Sequence, residues 1–276
     1  MNKVMILMQP AVSCVRRSAK KRRGDEMKAV FLSDKGKVRQ HNEDSAGVFH
    51  NLDGNILAVV ADGMGGHRAG DVASSMTIQL FHDYWKQTHN MNEPKKVEEW
   101  LHTSVGIINE RIYEYSKQHV ECNGMGTTLI IAICTPSFVT IGHIGDSRCY
   151  MVSEGEISLV TEDHSLVNEL VRHGEISKED AEYHPKKNVL LRALGTEERV
   201  GLDVKTLVLE EDDQLLLCSD GLSNKVSIAD MQQILQLNEQ LETKGQRLIQ
   251  LANDRGGEDN ITLVLIDYAG STNESR

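Results

Sequence analysis

The stretch NILAVVADGMGGHRAG, residues 55–70, decides the fold of this chain. Its apolar run from Ile56 to Ala61 predicts a buried strand, which ends in Asp62 before a loop that contains three glycines and a histidine. A strand that ends in Asp-Gly is usually only a turn. Whether Asp62 has a further part depends on how the other apolar runs of the chain end.

Carboxylates stand at the ends of several other apolar runs. Asp146 ends VTIGHIGD, Asp220 ends QLLLCSD, Asp259 comes just before ITLVLI, and Glu43-Asp44 precedes a further strand. If these ends meet in space, mutual repulsion raises some of their pKa values or opens the site unless cations neutralise the charges. Oxygen ligands select hard cations such as Mg²⁺ or Mn²⁺, whereas zinc would favour histidines, which lie mostly elsewhere.

Two neighbouring hard cations would give this cluster a hydrolytic chemistry. Such a pair turns water into hydroxide near neutral pH and clamps an in-line displacement at phosphorus. Arg39 supplies a planar fork for two phosphate oxygens, and His67 could protonate a departing alkoxide. The alternative interpretation of His67 is a surface-loop histidine. Having no side chain, Gly63 lets its carbonyl approach a metal closely.

Composition and charge favour a soluble globular protein that collects cations. The 276 residues are 39% hydrophobic and 26% charged, with a net charge of −11. The first 26 residues hold seven Lys/Arg and two Asp/Glu, so the remaining body carries a net −16. An acidic body argues against nucleic-acid binding. No apolar stretch approaches the roughly 20 residues of a membrane span. Five scattered cysteines without a C-x-x-C pair fit a reducing compartment, which predicts a cytoplasmic protein.

Residues 1–26 differ from the rest. The apolar run VMILM is shorter than the core of a signal peptide, and the basic cluster follows it instead of preceding it. A basic membrane-surface tail is one interpretation. We favour a native start at Met27, with 1–26 a non-native or disordered extension, because KKRRGDE could be a translated purine-rich ribosome-binding site.

Hydrophobic periodicity predicts strand blocks that alternate with helix pairs. Strands are expected over 28–34, 45–51 and 55–63, with a hairpin turn at 51–54, then helices over 71–87 (with Asp71 as N-cap) and 95–118. A second strand block, 127–161, has the short connections of an antiparallel meander, and 164–198 is polar, helical and the expected mobile lobe. Strands over 200–221, helices over 227–237 and 246–254, and a closing strand over 260–268 complete the pattern. The economical solution is an α+β fold of two stacked, mainly antiparallel sheets with helices on both outer faces.

Eight short motifs, in order, resemble one family. They are R-x-x-N-E-D (39–44), ADGMGGHRAG (61–70), GMGTT (124–128), GDSR (145–148), T-x-DHS (161–165), RALG (192–195), SDGL (219–222) and EDNIT (258–262). The set is similar to that of the PPM family of metal-dependent, type 2C serine/threonine protein phosphatases, in particular to its short bacterial members. The resemblance covers about 28–268. Each motif is weak alone, and the set is highly specific.

The resemblance implies a four-layer α-β-β-α sandwich with a binuclear Mn²⁺ or Mg²⁺ centre at one end, and it implies these roles. Asp62 is similar to the carboxylate that bridges both metals, and the Gly63 carbonyl is similar to a ligand of the first metal. Asp220 and Asp259 are similar to ligands of the second metal, and Glu43 and Asp44 to acids that hold metal-bound waters or a metal. Asp146 is similar to an acid that, with Asp220, can hold a third metal. Arg39 resembles the phosphate-binding residue and His67 the general acid. A single catalytic domain is expected over 27–270, with a flap at about 165–190 and a tail at 271–276.

Together these features predict a protein phosphatase that hydrolyses phosphoserine and phosphothreonine by attack of a metal-bridging water. The resemblance implies phosphorylated proteins and a bacterial Ser/Thr kinase with its substrates as partners, in the cytoplasm, and we expect a monomer.

Other enzyme and binding classes fit the sequence less well. Cysteine phosphatases need C-x5-R and aspartyl-phosphate phosphatases need D-x-D, and the sequence has neither. The glycines of 59–70 do not match the register of a nucleotide-binding loop. A metal-loaded phosphoprotein-binding module would be expected to have lost Asp62, Asp220 or Asp259, which are intact. A phosphatase dedicated to one regulatory protein, such as an anti-anti-sigma factor, stays a narrower alternative.

Overall fold

The computed structural model describes residues 26–66 and 69–269. The predictions made for residues 1–25, for His67 and for the tail at 271–276 therefore lie outside the described residues.

The strands of the described ranges form two antiparallel sheets. They are β1 (Glu26–Asp34), β2 (Asp44–His50), β3 (Ile56–Met64), β4 (Gly126–Thr127), β5 (Leu129–Cys134), β6 (Phe138–Ile144), β7 (Arg148–Ser153), β8 (Glu156–Leu159), β9 (Asp203–Val208), β10 (Gln214–Cys218) and β11 (Ile261–Ala269). The first sheet has the order β1-β11-β10-β7-β8. The second has the order β2-β3-β5-β6-β9, and β4 also pairs with β3. Every pairing is antiparallel.

Helices cover the outer face of each sheet. The helices of the described ranges are α1 (Ala69–Trp85), α2 (Pro94–Gln118), α3 (Leu166–Arg172), α4 (Lys178–Tyr183), α5 (Asp220–Ser223), α6 (Ile228–Leu235) and α7 (Leu241–Asp254), with a 3-10 turn at Val120–Cys122. The pair α1 and α2 packs on the second sheet, and α5, α6 and α7 pack on the first.

The apolar run of β3 is continuous because both faces of this strand are buried. Ile56, Ala58 and Val60 belong to the cluster between the sheets, whereas Leu57 and Val59 belong to the cluster under α1 and α2. Successive strand side chains point to opposite faces, so two-sided burial turns the usual alternation into an apolar run. A third cluster lies between the first sheet and its helices. Three apolar interfaces separate four layers, and the predicted α-β-β-α sandwich is confirmed.

The predicted meander over 127–161 is wrong in one respect. β5 pairs with β6 and β7 with β8, but β6 and β7 lie in different sheets. The chain crosses between the sheets at 145–147, where Gly145 has φ +104°, a conformation that favours glycine. This crossing places Asp146 where the two sheets meet, which the strand pattern alone did not show.

Helix boundaries differ from the sequence-based expectation at three places. α1 begins at Ala69, so Asp71 lies in its first turn and the N-cap assignment is wrong. α7 begins at Leu241, five residues before the predicted start, because the polar first turn carries little apolar periodicity. The polar region 164–198 forms only the short helices α3 and α4. Within the described ranges, no helix has both the length and the apolar character needed to cross a membrane.

Candidate metal centre

The ends of four strands bring aspartates to one edge of the sandwich. Asp44 and Asp62 are direct partners in the β2–β3 pairing of the second sheet. In the first sheet, Asp220 follows β10 and Asp259 shortly precedes β11, and these two strands are neighbours. Since the sheets are stacked, acids far apart along the chain face one another.

Asp62 lies at the centre of this electrostatic cluster. Desolvation, followed by the charges of Asp44 and Asp220, raises its pKa well above the ordinary aspartate value. The pKa of Asp220 is raised as well, by desolvation followed by the charge of Asp259. Desolvated carboxylates that raise one another's pKa values favour protonation or a bound cation. A cation could therefore neutralise Asp62 and Asp220.

Asp44 presents an unsatisfied oxygen to the cluster. Its side chain is buried, and burial raises its pKa to about 7. Ser219 Oγ donates to Asp44 Oδ2 at 2.8 Å. The other oxygen, Oδ1, is buried and finds no hydrogen-bond partner among the described residues. A buried carboxylate oxygen left unpaired is costly, and a bound cation or its water would satisfy it.

Asp146 joins the cluster from the crossing between the sheets. Desolvation, followed by the charge of Asp220, raises its pKa to about 7. The neighbouring Arg148 binds Asp163 in a bidentate pair with distances of 2.9 and 2.7 Å. Arg148 is therefore engaged with Asp163, which leaves the Asp146 carboxyl to a cation.

Arg39 and Glu43 lie at the open side of the cluster. Arg39 Nη2 donates to Asp259 Oδ2 at 2.8 Å, and Nε donates to the Glu258 carbonyl at 3.3 Å. These bonds use two of the five guanidinium donors, and the side chain is half exposed. The pKa of Glu43 is raised, first by partial burial. His67, the expected general acid, lies outside the described residues.

The residues present fit hard divalent cations. All candidate side-chain ligands are carboxylates, the set that Mg²⁺ and Mn²⁺ prefer. Among the residues that the structure describes, no three acidic, histidine or cysteine side chains already stand in the arrangement of a metal cage. The unpaired Asp44 oxygen and the raised pKa values of Asp62 and Asp220 are nevertheless the features that a cation would resolve.

Three neutral side chains that the sequence analysis did not single out hold the acids in place. Thr128 Oγ1 accepts from the Asp62 N–H at 3.0 Å, and Ser219 donates to Asp44. The Asn260 side chain accepts from the Glu43 N–H at 2.8 Å and donates to two carbonyls of the 35–41 segment at 2.9 Å each. Ser219 and Asn260 adjoin Asp220 and Asp259 along the sequence, and Thr128 lies beside Asp62 across the sheet. A polar residue at the end of a buried strand is the sequence signal that could have identified them.

Replacing Gly63 by alanine is expected to destabilise the fold. A Cβ at this position would lie 2.1 Å from the Gly70 carbonyl oxygen and 2.5 Å from that of Glu43. Relieving such overpacking costs about 1–3 kcal/mol or more in the free energy of unfolding. Gly106 in α2 has open space around it, so Gly106→Ala should stabilise by up to about 1 kcal/mol. Urea unfolding of both variants measures this, and equal midpoints would contradict the close approach.

The metal-free protein is expected to lose stability as the pH rises from about 4 to about 7. Folding raises the pKa of Asp44 and Asp146 to about 7 from the ordinary value near 4. The folded state therefore holds protons that the unfolded state has released, so this stabilisation is complete below the unfolded pKa and is lost as the pH passes the folded one.

Melting temperatures measured in a chelator between about pH 5 and pH 7.5 test this linkage. They should fall across the interval by the equivalent of a few kcal/mol. Excess Mn²⁺ should remove the fall, because a cation replaces the protons. A level profile without metal would contradict the raised pKa values of Asp44 and Asp146.

Comparison with known proteins identifies the family of this chain. The family model described as "Protein phosphatase 2C" matches residues 35–265. The serine/threonine phosphatase stp of Listeria monocytogenes serotype 4b is 49% identical over 241 residues, which are 87% of this chain and 96% of that protein.

Solved structures agree as well. The S. agalactiae serine/threonine phosphatase is 41% identical with a TM-score of 0.84, and the match covers 87% of this chain and 99% of that chain. The catalytic domain of the phosphatase PstP, in complex with two manganese ions, is 33% identical with a TM-score of 0.77 over 88% of this chain and 98% of that one. With a family model over most of its length and relatives identical at up to about half of the aligned positions, the chain belongs to the protein phosphatase 2C family.

Proposed function

We propose that this serine/threonine phosphatase hydrolyses phosphoserine and phosphothreonine in proteins with the help of two divalent cations, Mn²⁺ or Mg²⁺. The observation that carries the proposal is the cluster of desolvated aspartates at the sheet ends, in which Asp44 keeps a buried oxygen without a hydrogen bond among the described residues. Dependence on a divalent metal agrees with the family and with the manganese-bound PstP domain.

Seven residues would hold the metals. Asp62 would bind two ions, the Gly63 carbonyl would bind the first of them, and Asp220 and Asp259 would bind the second. Glu43 and Asp44 would hold metal-bound waters or a metal. Asp146 and Asp220 together would hold a third ion. Bound divalent ions would supply an activated water and would neutralise charge on the phosphoryl oxygens. The mutual repulsion of Asp44, Asp62 and Asp220 supports this assignment.

The chain's own groups would bind and orient the substrate. Arg39 projects from an exposed loop beside Asp259, and its remaining N–H donors would bind two oxygens of the phosphoryl group. Thr128 and Ser219 fix the backbone of Asp62 and the carboxylate of Asp44, so the acids need not reorganise during the reaction. His67 would give a proton to the departing serine or threonine oxygen.

A groove beside the acids would take the polypeptide that flanks the phosphorylated residue. Its volume is about 500 Å³, and it runs from Asp146 and Asp220 past Lys178 and Lys187 to Tyr183. Residues of α4 line one wall of this groove, which supports a flap at about 165–190. We propose that 27–270 form one catalytic domain.

The cellular setting is inferred from the chemistry. Phosphorylated proteins are the substrates, and a bacterial Ser/Thr kinase that produces them is the proposed counterpart. We propose a monomer in the cytoplasm, an environment in which the free, buried cysteines of the described chain (Cys122, Cys134, Cys149 and Cys218) would stay reduced.

Hydrolysis of a phosphoserine peptide with and without Mn²⁺ tests the proposal. Phosphate release should require added Mn²⁺ or Mg²⁺ and should stop in excess chelator. Asp213 is a buried aspartate at the opposite end of β10 whose Oδ2 accepts from the Glu210 N–H at 2.8 Å. Asp213→Asn should therefore keep full activity. Undiminished activity in rigorously demetallated protein would overturn the metal-dependent mechanism.

A further inference from the structure

A buried histidine ties the segment 164–191 to the turn that carries Asp146. His164 is 8% exposed. Its backbone N–H donates to the Gly145 carbonyl at 2.7 Å, and the Gly145 N–H donates in return to His164 Nδ1 at 3.1 Å. The two residues are joined by reciprocal hydrogen bonds, one of which depends on the imidazole side chain.

The bond from Gly145 fixes the state of the imidazole ring. Because Nδ1 accepts a hydrogen bond, the ring proton must be on Nε2. Nε2 lies 3.1 Å from Asp203 Oδ2 and therefore donates to it. Arg192 Nη1 donates to Asp203 Oδ1 at 2.8 Å and approaches His164 Nε2 at 3.4 Å, but two donors form no hydrogen bond. A carboxylate, an imidazole and a backbone amide thus form one directed chain.

This series of hydrogen bonds is anchored at the edge strand of the second sheet. Asp203 begins β9 and lies directly opposite His143 of β6. The His143 ring is 4.6 Å from the His164 ring, centroid to centroid, and is 2% exposed. Burial, followed by the neighbouring His164, lowers the pKa of His143 to about 4, so this ring is a neutral support. Side chains held between sheet strands have few alternative rotamers, which makes them suitable for positioning.

The same histidine closes the base of the segment 164–191. The Leu191 N–H donates to the His164 carbonyl at 2.8 Å, and the Leu166 N–H donates to the Val189 carbonyl at 2.9 Å. The segment therefore leaves and returns at His164. On the other side, a Cβ on Gly145 would lie 2.7 Å from Thr128 Cγ2, so the turn is pressed against the residue that holds the Asp62 backbone.

We propose that His164 is a positioning residue that, oriented by Asp203, holds the Gly145–Asp146 turn and couples it to the segment 164–191, so that Asp146 is presented to its metal ion. The effect on metal binding rests on the proposed role of Asp146 as a metal ligand. The coupling of the Gly145–Asp146 turn to the segment 164–191 rests on the hydrogen bonds alone. Partners behind metal ligands typically change metal affinity by about 10–100-fold.

Three variants separate the parts of this arrangement. His164→Leu removes both side-chain bonds. His164→Asn keeps an acceptor close to the place of Nδ1, so it retains the bond from Gly145 while losing the reach to Asp203. Asp203→Ala removes the orienting carboxylate together with its bond to Arg192. Asp203 is more than half exposed, so the variant should fold even where His164→Leu does not. His119→Leu is the control, since this histidine lies at the end of α2 with Nδ1 3.0 Å from the Tyr115 carbonyl oxygen.

Calorimetric titration of the full-length protein with Mn²⁺ is the first measurement. The site that Asp146→Asn weakens should lose about 10–100-fold in affinity in His164→Leu. Asp203→Ala and His164→Asn, each of which loses the contact between the two side chains but keeps the bond from Gly145, should weaken the same site by less than His164→Leu does, and His119→Leu should leave every site unchanged. Unchanged Mn²⁺ affinity at that site in both His164→Leu and Asp203→Ala would overturn the proposal. An equal loss of affinity at all sites, in proportion to a fall in melting temperature, would also overturn it, because it would indicate general destabilisation.

Hydrogen exchange of the Gly145 amide in metal-free protein is the second measurement. It should be faster in His164→Leu and near the parent rate in His164→Asn. If Asp146→Asn leaves Mn²⁺ binding intact, the metal role of Asp146 fails, and the exchange result alone decides the coupling. An unchanged Gly145 exchange rate in His164→Leu and Asp203→Ala would overturn it.

Discussion

Asp62→Asn is expected to abolish phosphatase activity and, at the same time, to stabilise the metal-free protein. The loss of activity follows because metal-ion catalysis supplies several kcal/mol of charge stabilisation, which corresponds to roughly a thousandfold or more in rate. The gain in stability follows because the variant removes a desolvated carboxylate that repels Asp44 and Asp220. A residue that only supported the fold would change stability in the opposite direction.

Melting curves with and without Mn²⁺, together with kcat/KM on a phosphoserine peptide, measure both effects. At about 100 times its Kd, a ligand stabilises a protein by about 2.7 kcal/mol, and the parent should show such a rise. Asp62→Asn should melt higher than the parent in chelator and should gain little from Mn²⁺. Asp213→Asn should behave like the parent. A variant of Asp62 that keeps the Mn²⁺-induced rise and activity within tenfold would remove this residue from the metal centre.

His67→Ala is expected to slow hydrolysis of a phosphoserine peptide by about 10²–10⁴-fold, the usual contribution of general acid catalysis. A departing alkoxide needs a proton, whereas an aryl oxide is far less basic, with a pKa of about 10 for a tyrosine-like phenol. The loss should therefore be smallest for an aryl phosphate. This dependence on the leaving group distinguishes proton donation from phosphate binding.

Steady-state kinetics on a phosphoserine peptide and on an aryl phosphate, at saturating Mn²⁺, provide the comparison. His102, exposed on α2, is a matched histidine, and His102→Ala should leave both rates unchanged. Equal slowing of the two substrates by His67→Ala would refute its assignment as the proton donor. Arg39→Ala is expected to slow both substrates alike, because each carries the same phosphoryl group.

Strand identity and the position of the acids could be predicted from local sequence. The run before Asp62 is apolar at every position because β3 is buried on both faces, and Asp220 and Asp259 border similar runs. Placing a charged side chain directly beside a buried apolar run costs free energy, so the repetition of this arrangement indicates a functional site even without knowledge of the strand pairing. The motifs then identified the family, which the comparisons confirm.

The partners of these acids could not be predicted in the same way. Ser219 and Asp44 are 175 positions apart and meet only because β10 and β2 lie in stacked sheets. Asn260 binds the 35–43 segment across more than two hundred residues. Such contacts depend on long-range strand order, on which hydrophobic periodicity carries no information.

The sequence by itself determined the strands, the family and the set of acids, since each is written in a run of neighbouring residues. Only the tertiary structure decided that β6 and β7 belong to different sheets, that Asp146 therefore lies at their junction, and that His164 and Asp203 hold its turn. The physical reason is that burial is a property of each residue's own segment, whereas hydrogen bonds between distant segments exist only after the sheets have stacked.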